Sequence, residues 1–302
     1  MKVLITGATG LIGTELMTYL LSKNYEVNFL STDKNKLVKK HNCEGFYWNP
    51  SKGEIDSRAF EDVETIIHLA GATIAKRWTN KYKKEILESR ILSAKILYNT
   101  LKTSNHSVKH FISASGTACY KQTFDVALSE KITETEYGNG FLADVVKEWE
   151  KCADLFQNLN IKVTKVRTGV VFAKNNGALL EIVKPIKLGF GAVLGKGNQM
   201  MSWIHIDDLV RLYTFILDNK LEGVYNASSP EPISNKKLTY TISQILNKKI
   251  WLPAVPEFVL KILLGEMSSL LLNSNYVDSS KIRNAGFQFQ FPDINSTLKD
   301  LI

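Results

Sequence analysis

"KVLITGATGLIG", Lys2 to Gly13, runs from a block of apolar and β-branched residues into three evenly spaced glycines, Gly7, Gly10 and Gly13. The helical pattern "LIGTELMTYLLSKN" follows directly. Val, Leu and Ile side by side suit a strand buried on both faces of a parallel sheet. A glycine after such a strand permits a sharp turn. A second lets a ligand reach the main chain without meeting a Cβ, and a third lets the helix pack closely on the strand. The spacing is G-x-x-G-x-x-G rather than G-x-G-x-x-G. In this strand–loop–helix setting it implies a dinucleotide whose pyrophosphate rests on the amides at the helix start, around Leu11 and Ile12, with the helix dipole favouring its charge. Gly7, Thr9, Gly10, Leu11, Ile12 and Gly13 form this first set of expected contacts.

The alternation continues outward. "EVNFLS", "ETIIHLA", "VKHFISAS" and "IKVTKVRT" read as further strands, and "TNKYKKEILESRILSAKILYNTLK" and the stretch from Phe141 to Leu159 as helices. Strands alternating with long helical patterns predict an α/β fold, a doubly wound parallel sheet with helices on both faces. After about Arg167 the rhythm changes. Glycine and proline gather in "KPIKLGFGAVLGKGNQ" before a strand-like "MMSWIHI" and the helix "DDLVRLYTFILDN", in which Asp207 is placed to cap the helix. The expected organisation is a dinucleotide-binding domain over 1–166, joined again by 199–224, and a smaller α/β substrate lobe from 167–198 and 225–302.

The chain has 302 residues, 44% of them apolar and 23% charged, enough to bury a sizeable core. Its net charge is +8, but the lysines are scattered and accompany no nucleic-acid module, so no nucleic-acid partner is expected. The beginning of the chain lacks the apolar core and cleavage pattern of a signal peptide, and no apolar run approaches the roughly 18 residues of a membrane span, so no membrane partner is expected either. Cys43, Cys119 and Cys152 are widely separated and odd in number, which suits a reducing cytosol. The five histidines show no ligand spacing beyond the pair His106/His110, which straddles a helix end and a strand start, and no metal is expected. The partner is a small molecule of unknown identity, and the chain is a monomer or homodimer.

The second strand ends in Ser31-Thr32, with Asp33, Lys34 and Lys36 beyond. Hydroxyls and lysines accept a 2′-phosphate that an acidic tip would repel, which favours NADP; Asp33 leaves NAD open. Ala70 and Gly71, closing another strand, let a cofactor lie against the main chain. His68, among Ile66, Ile67 and Leu69, reads as a packed core histidine.

Longer stretches carry a family resemblance: "GATGLIG", "FYWNP", "HLAGATIAKRWTNKYKKEILESRI", "ISASGTACY", "FLADVVKEWE", "VRTGVVFAKNNGAL", "GKGNQMMSWIHIDDL", "YNASSPEPISNKKL" and a C-terminal "LPAVPEFVLKILLGEMSSLLLNSNYVDSSKIRNAGFQFQFP". Together they resemble the extended short-chain dehydrogenase/reductases, and within them the atypical epimerase family proteins of the SDR39U1/YfcH type, with that branch's own terminal domain. The resemblance implies an NADP-binding domain with a small substrate lobe. It places Ser31 and Thr32 at the adenosine ribose or its phosphate, where the family commonly has an arginine at the position of Thr32. It places Leu69 and Ala70 on the adenine side, and adds Glu85, Arg90 and Val171 to the cofactor set. From spacing alone, Glu85 and Arg90 also fit solvated pairs on a helix surface.

The family's working tyrosine and lysine, four residues apart, are absent. Phe141 and Val145 stand in their places, and neither transfers a proton. The remaining polar candidates for catalysis are Ser115, Tyr120 and Lys147. Two classes of function follow: an NADP-dependent oxidoreductase or epimerase-like enzyme, and a protein that holds the nucleotide as a sensor without turnover. A nucleotide-sugar epimerase is a third reading.

Overall fold

The computed structural model describes residues 1–132 and 136–302. It divides into two compact units. The first comprises Met1–Ser115, Asp144–Val166 and Val210–Val224; the second comprises Gly116–Ala143, Arg167–Leu209 and Tyr225–Ile302.

The first unit is built on β1 (Lys2–Thr6), β2 (Glu26–Ser31), β3 (Lys39–Lys40), β4 (Cys43–Asn49), β5 (Glu54–Ile55), β6 (Val63–His68) and β7 (His110–Gly116), continued by β8 (Lys162–Thr168) and β12 (Gly223–Ala227). Among the described residues these nine strands form one sheet in the order β12-β8-β7-β6-β1-β2-β4-β3, with β5 on β4. The pairs β1–β2, β1–β6, β2–β4 and β6–β7 are parallel. From β1 the chain builds outward through β2 to β4, then returns to the other side of β1 for β6 and β7. The winding therefore reverses between β1 and β6, the place in such sheets where a crevice opens beyond the strand ends.

Helices α1 (Leu11–Ser22), α2 (Asn80–Thr103), α3 (Phe141–Asp154) and α5 (Ile206–Asp218) accompany the sheet. Thr79 starts α2 by accepting the Tyr82 N–H at 3.2 Å. The helix expected to reach Leu159 leaves α geometry at Asp154 and tightens into a 3₁₀ turn over Leu155–Leu159, which Asn160 ends in the left-handed region. This turn buries Phe156 against Phe111, ring centroids 3.7 Å apart. Leu4, Ile66, Leu97 and Leu101 complete the same core.

The second unit holds β9 (Val170–Ala173), β10 (Met200–Met201), β11 (Trp203–His205) and β13 (Ile233–Ser234) with helices α4 (Gly177–Lys187), α6 (Asn235–Ile245), α7 (Glu257–Leu264), α8 (Ser269–Leu272), α9 (Ser280–Asn284) and α10 (Ile294–Leu301). Phe172 and Trp203 stack at 5.6 Å in a core with Leu238, Ile242 and Leu298. Segments 116–143 and 199–209, placed with the first domain by the sequence, group here. Hydrogen bonds explain it. The Leu128 N–H donates to Tyr276, the Asp278 N–H to Leu128 and the Asn275 N–H to Met200. Asn275 Nδ2 donates to the Thr117 carbonyl at 2.7 Å.

Two histidines of the first unit are buried neutral. Burial, reinforced by the Arg90 charge, holds His68 at about 3 instead of 6.5, and burial holds His110 at about 4. Below 6.5 the unfolded chain takes up two protons that the folded chain refuses. Stability is thus complete above that pH and falls as acidity increases, by up to about 1.4 kcal/mol per pH unit for each histidine. Urea midpoints measured from neutral pH down to about pH 5 should show this decline, and His110→Gln should make it shallower.

Candidate functional site

The three glycines of the first loop do different work. Gly7 has φ 71°, and a Cβ there would stand 2.8 Å from the Leu69 carbonyl carbon and 2.9 Å from the Ala70 nitrogen. A Cβ on Gly13 would stand 2.2 Å from the Gly7 oxygen. These two positions are closed by protein backbone. A Cβ on Gly10 would meet only the Gly7 oxygen, at 3.3 Å, and Gly10 and Thr9 are exposed. Gly10 also begins α1, with no side chain capping it and no acidic residue in the first turn. The half-buried Leu11 and Ile12 thus present amides at the positive end of a 12-residue helix.

Strand register brings the ends of β1, β2 and β6 level, with Thr6 opposite Leu30 on one side and His68 on the other. Gly7, Ser31 and Leu69 follow these residues directly. Ser31 is buried, and its hydroxyl accepts the Asp33 N–H at 3.1 Å, so it shapes the turn. Asp33 in turn accepts the Asn35 N–H at 2.9 Å. Thr32 is exposed, and Lys34 lies over the Tyr47 ring at 4.7 Å.

Beyond β6, Leu69 and Ala70 are half-buried and Gly71 is exposed against Arg90, whose guanidinium carbon would lie 3.1 Å from a Cβ at that glycine. Arg90 donates to the carbonyls of Ile86 at 2.8 Å and Ala72 at 3.2 Å and lies 4.8 Å from the Trp149 ring. Burial lowers its pKa to about 10, and its Nε finds no acceptor among the described residues. This half-buried cation is held by carbonyls and a ring face, and it borders the strand end. Glu85 is exposed; Lys84 and Glu88 on the same helix pair at 3.7 Å.

His68 is fully buried, as its neighbours predict. Ala70 N–H donates to the Thr6 hydroxyl, which contacts His68 Nδ1 at 2.8 Å; Nε2 lies 3.2 Å from the Ser93 hydroxyl, which donates to the Arg90 carbonyl. Every contact is satisfied when Thr6 donates to Nδ1 and Nε2–H donates to Ser93. The chain of bonds ties β1, β6 and α2 together.

The reaction-side candidates are engaged. Ser115, 5% exposed, donates to Glu150 Oε1 at 2.6 Å. Glu150 is itself 6% exposed on α3, with Lys165 at 4.0 Å. In the second unit, Tyr120 donates to Asn226 Oδ1 at 2.6 Å and accepts from Arg167 Nη1 at 3.1 Å. Burial raises its phenol above the ordinary value, with Arg167 opposing. Lys147 is exposed on α3; Phe141 is half-buried and Val145 buried. Val171 lies in β9 opposite Ile204. Among the described residues, no cluster of metal-binding side chains occurs.

Residues not singled out by sequence complete the polar structure. Glu150 answers Ser115, while Asn226 receives Tyr120 and its N–H donates to Glu130 at 2.9 Å. The fully buried Asp208 accepts the N–H groups of Gln290 and Phe291, both at 2.8 Å. Asp207 lies within the first turn of α5 and not at its cap. Its N–H donates to Nδ1 of the buried His205 at 3.0 Å, while His205 Nε2 faces Asp300 at 3.3 Å.

A mainly parallel sheet that reverses at a glycine turn defines a protein of the Rossmann, extended short-chain dehydrogenase/reductase class. The pattern of the NAD dependent epimerase/dehydratase family matches residues 3–228, and that of DUF1731, a domain of unknown function, matches 255–301. The chain belongs to the NAD dependent epimerase/dehydratase family. An epimerase family protein of Staphylococcus aureus (strain MRSA252) is 32% identical over 306 residues, spanning 99% of this chain and 98% of that protein. Human epimerase family protein SDR39U1 (isoform 2), crystallised with NADPH, shares the structure with a TM-score of 0.85 at 26% identity, over 100% of this chain and 99% of that one. UDP-glucuronic acid 4-epimerase from Bacillus cereus, in complex with UDP-glucuronic acid and NAD, shares the fold with a TM-score of 0.76 at 20% identity, over 100% and 98%.

Removing the Tyr120 hydroxyl takes the donor from the buried Asn226 oxygen and one of the acceptors from Arg167 Nη1, which keeps the Glu130 carbonyl at 3.3 Å. Tyr120→Phe should lower stability in urea by about 1–3 kcal/mol. A change below about 0.5 kcal/mol would show that the phenol carries no structural weight.

Proposed function

We propose that the chain binds NADP(H) at the first glycine loop and acts as an oxidoreductase or epimerase-like enzyme on a small molecule. The observation that carries this reading is the division of labour in the loop. Gly7 and Gly13 are closed by backbone, whereas Gly10 faces outward at the uncapped start of α1. A pyrophosphate fits there against bare backbone and the helix dipole. The NADPH found with the human relative supports the same cofactor. Ser31, Thr32 and Lys34 would lie at the adenosine ribose and its phosphate; Leu69, Ala70, Gly71 and Arg90 would line the next stretch. Bound nicotinamide supplies or accepts hydride. The chain's own part is to hold the coenzyme and polarise a carbonyl, with Ser115 at the end of β7 as the group that donates once its hydrogen bond to Glu150 is exchanged for one to the substrate. Three buried cysteines that form no disulfide among the described residues suit a reducing cytosol.

A second reading, nucleotide binding without turnover, is favoured by one observation. Phe141 and Val145 occupy the tyrosine and lysine positions, while Ser115 and Tyr120 already have buried partners. NADPH oxidation against a panel of aldehydes, ketones and nucleotide sugars separates the two. Turnover lost in Ser115→Ala supports the enzyme; saturable NADPH binding with no oxidation supports the sensor.

Binding itself is tested by fluorescence titration. Gly10→Val should weaken NADPH binding at least about tenfold with a smaller loss of melting temperature than Gly13→Ala, because its Cβ meets backbone only at the Gly7 oxygen, at 3.3 Å, and otherwise fills the ligand's side. Gly13→Ala should instead destabilise the fold. NADPH binding unaffected by Gly10→Val would remove the basis of the proposal. Thr32→Asp should shift preference from NADPH towards NADH by about tenfold or more, since a carboxylate there repels the 2′-phosphate and accepts from the free ribose hydroxyl.

A further inference from the structure

The second unit carries a surface that the glycine loop does not use. Leu188, Phe190, Trp251, Phe258, Ile262 and Leu263 are each between 63% and 75% exposed. They belong to one run of structure. Trp251 Nε1 donates to the Gly189 carbonyl at 3.0 Å, pinning the 188–190 turn to residues 250–251. The two strands of chain then proceed side by side: the Gly195 N–H donates to Val255 and the Val255 N–H to Val193, both at 2.8 Å. Pro256 follows immediately and begins α7. On α7, Phe258 and Ile262 stand one turn apart on the outward face, while Leu260, 7% exposed, turns inward.

Charge on this surface is one-sided. The stretches 184–196 and 247–263 hold six exposed lysines, Lys184, Lys187, Lys196, Lys248, Lys249 and Lys261. They hold one acid, Glu257, which lies 3.9 Å from Lys261.

Scattered exposed apolar side chains need no explanation, but six large ones on two segments tied together by hydrogen bonds do. Two-fold pairing of the chain through this face would set lysines against lysines. The six tips, 63% to 75% exposed, project outward instead of lining a pocket of their own. A deformable surface that is both apolar and negatively charged satisfies all three observations. Headgroups receive the lysines, whose stems reach past them, and the apolar tips enter the acyl boundary. We propose that the second unit docks on an anionic lipid surface through 188–190, 250–251 and α7. It lies on the bilayer without crossing it; among the described residues no helix is long and apolar enough to span one. The expectation of no membrane partner rested on the lack of a spanning segment, which does not bear on docking of this kind.

The test is co-sedimentation of the full chain with vesicles of phosphatidylcholine alone and of phosphatidylcholine mixed equally with phosphatidylglycerol. Partitioning to the anionic vesicles should be at least about tenfold stronger and should fall with added salt. Ile262→Asp should abolish it and Lys248→Glu/Lys249→Glu should reduce it at least about fivefold. Both variants should melt with the wild type, since they alter exposed positions. The proposal is overturned if the chain ignores both vesicles or binds neutral and anionic ones equally. It is overturned too if sedimentation shows a concentration-dependent dimer that Ile262→Asp abolishes, which would make the face a subunit contact.

Discussion

The first unit depends on a contact of backbone with backbone. Gly13 sits where any side chain would strike the Gly7 carbonyl, and Gly7 lies against the main chain of Leu69 and Ala70. Two elements that meet through glycines approach more closely than side chains would allow, and the helix is seated directly over the reversal point of the sheet. The third glycine then has a different task. With its neighbours closed, Gly10 leaves an opening bounded by amides whose direction is fixed by the helix behind them. A phosphate arriving there finds its donors already ordered, so little conformational entropy is lost on binding.

That ordering extends inward through polar groups that are satisfied in sequence. Thr6, His68 and Ser93 pass hydrogen bonds from β1 through β6 to α2, and the imidazole stays neutral because burial penalises its charge more than any neighbour rewards it. Arg90 is the counterexample one turn away. Its cation is retained, lowered only to about 10, although it is held by carbonyls and the Trp149 ring. Without an anion it is under-compensated; with one beside Gly71 it is not. The same accounting applies on the reaction side. Ser115 has its proton committed to Glu150 and Tyr120 has its proton committed to Asn226, so chemistry at either group must first break a short buried hydrogen bond.

Local pattern made much of this legible. The β1–loop–α1 unit, the 24-residue α2 and the buried His68 all follow from spacing and from which residues flank which. Pattern failed where a partner lies far along the chain. Tyr120 and Asn226 are 106 residues apart, and Asp208 meets amides 82 and 83 residues on. No periodicity marks such pairs. Asp207 shows a local failure: an aspartate before an apolar helix reads as a cap, but His205 Nδ1 already accepts at that helix start, and α5 begins one residue earlier. Ser115 was legible as a polar residue at a strand end, but its direction was not, because Glu150 looks like any helix-surface acid until α3 is packed.

The terminal segment shows how such long-range polar bonds shape a surface. Asp208 holds the amides of Gln290 and Phe291, Ser202 Oγ donates to the Asn275 carbonyl and accepts the Val277 N–H, and Asn226 Nδ2 donates to the Asp278 carbonyl. These clamps are side chain to backbone, so they fix the path of 274–291 without drawing on the apolar residues of α7. Leu260 alone among the large side chains of that helix is needed inside. Phe258, Ile262 and Leu263 are thereby released from the core, and their outward direction is a consequence of how the segment is anchored and not a fault in its packing.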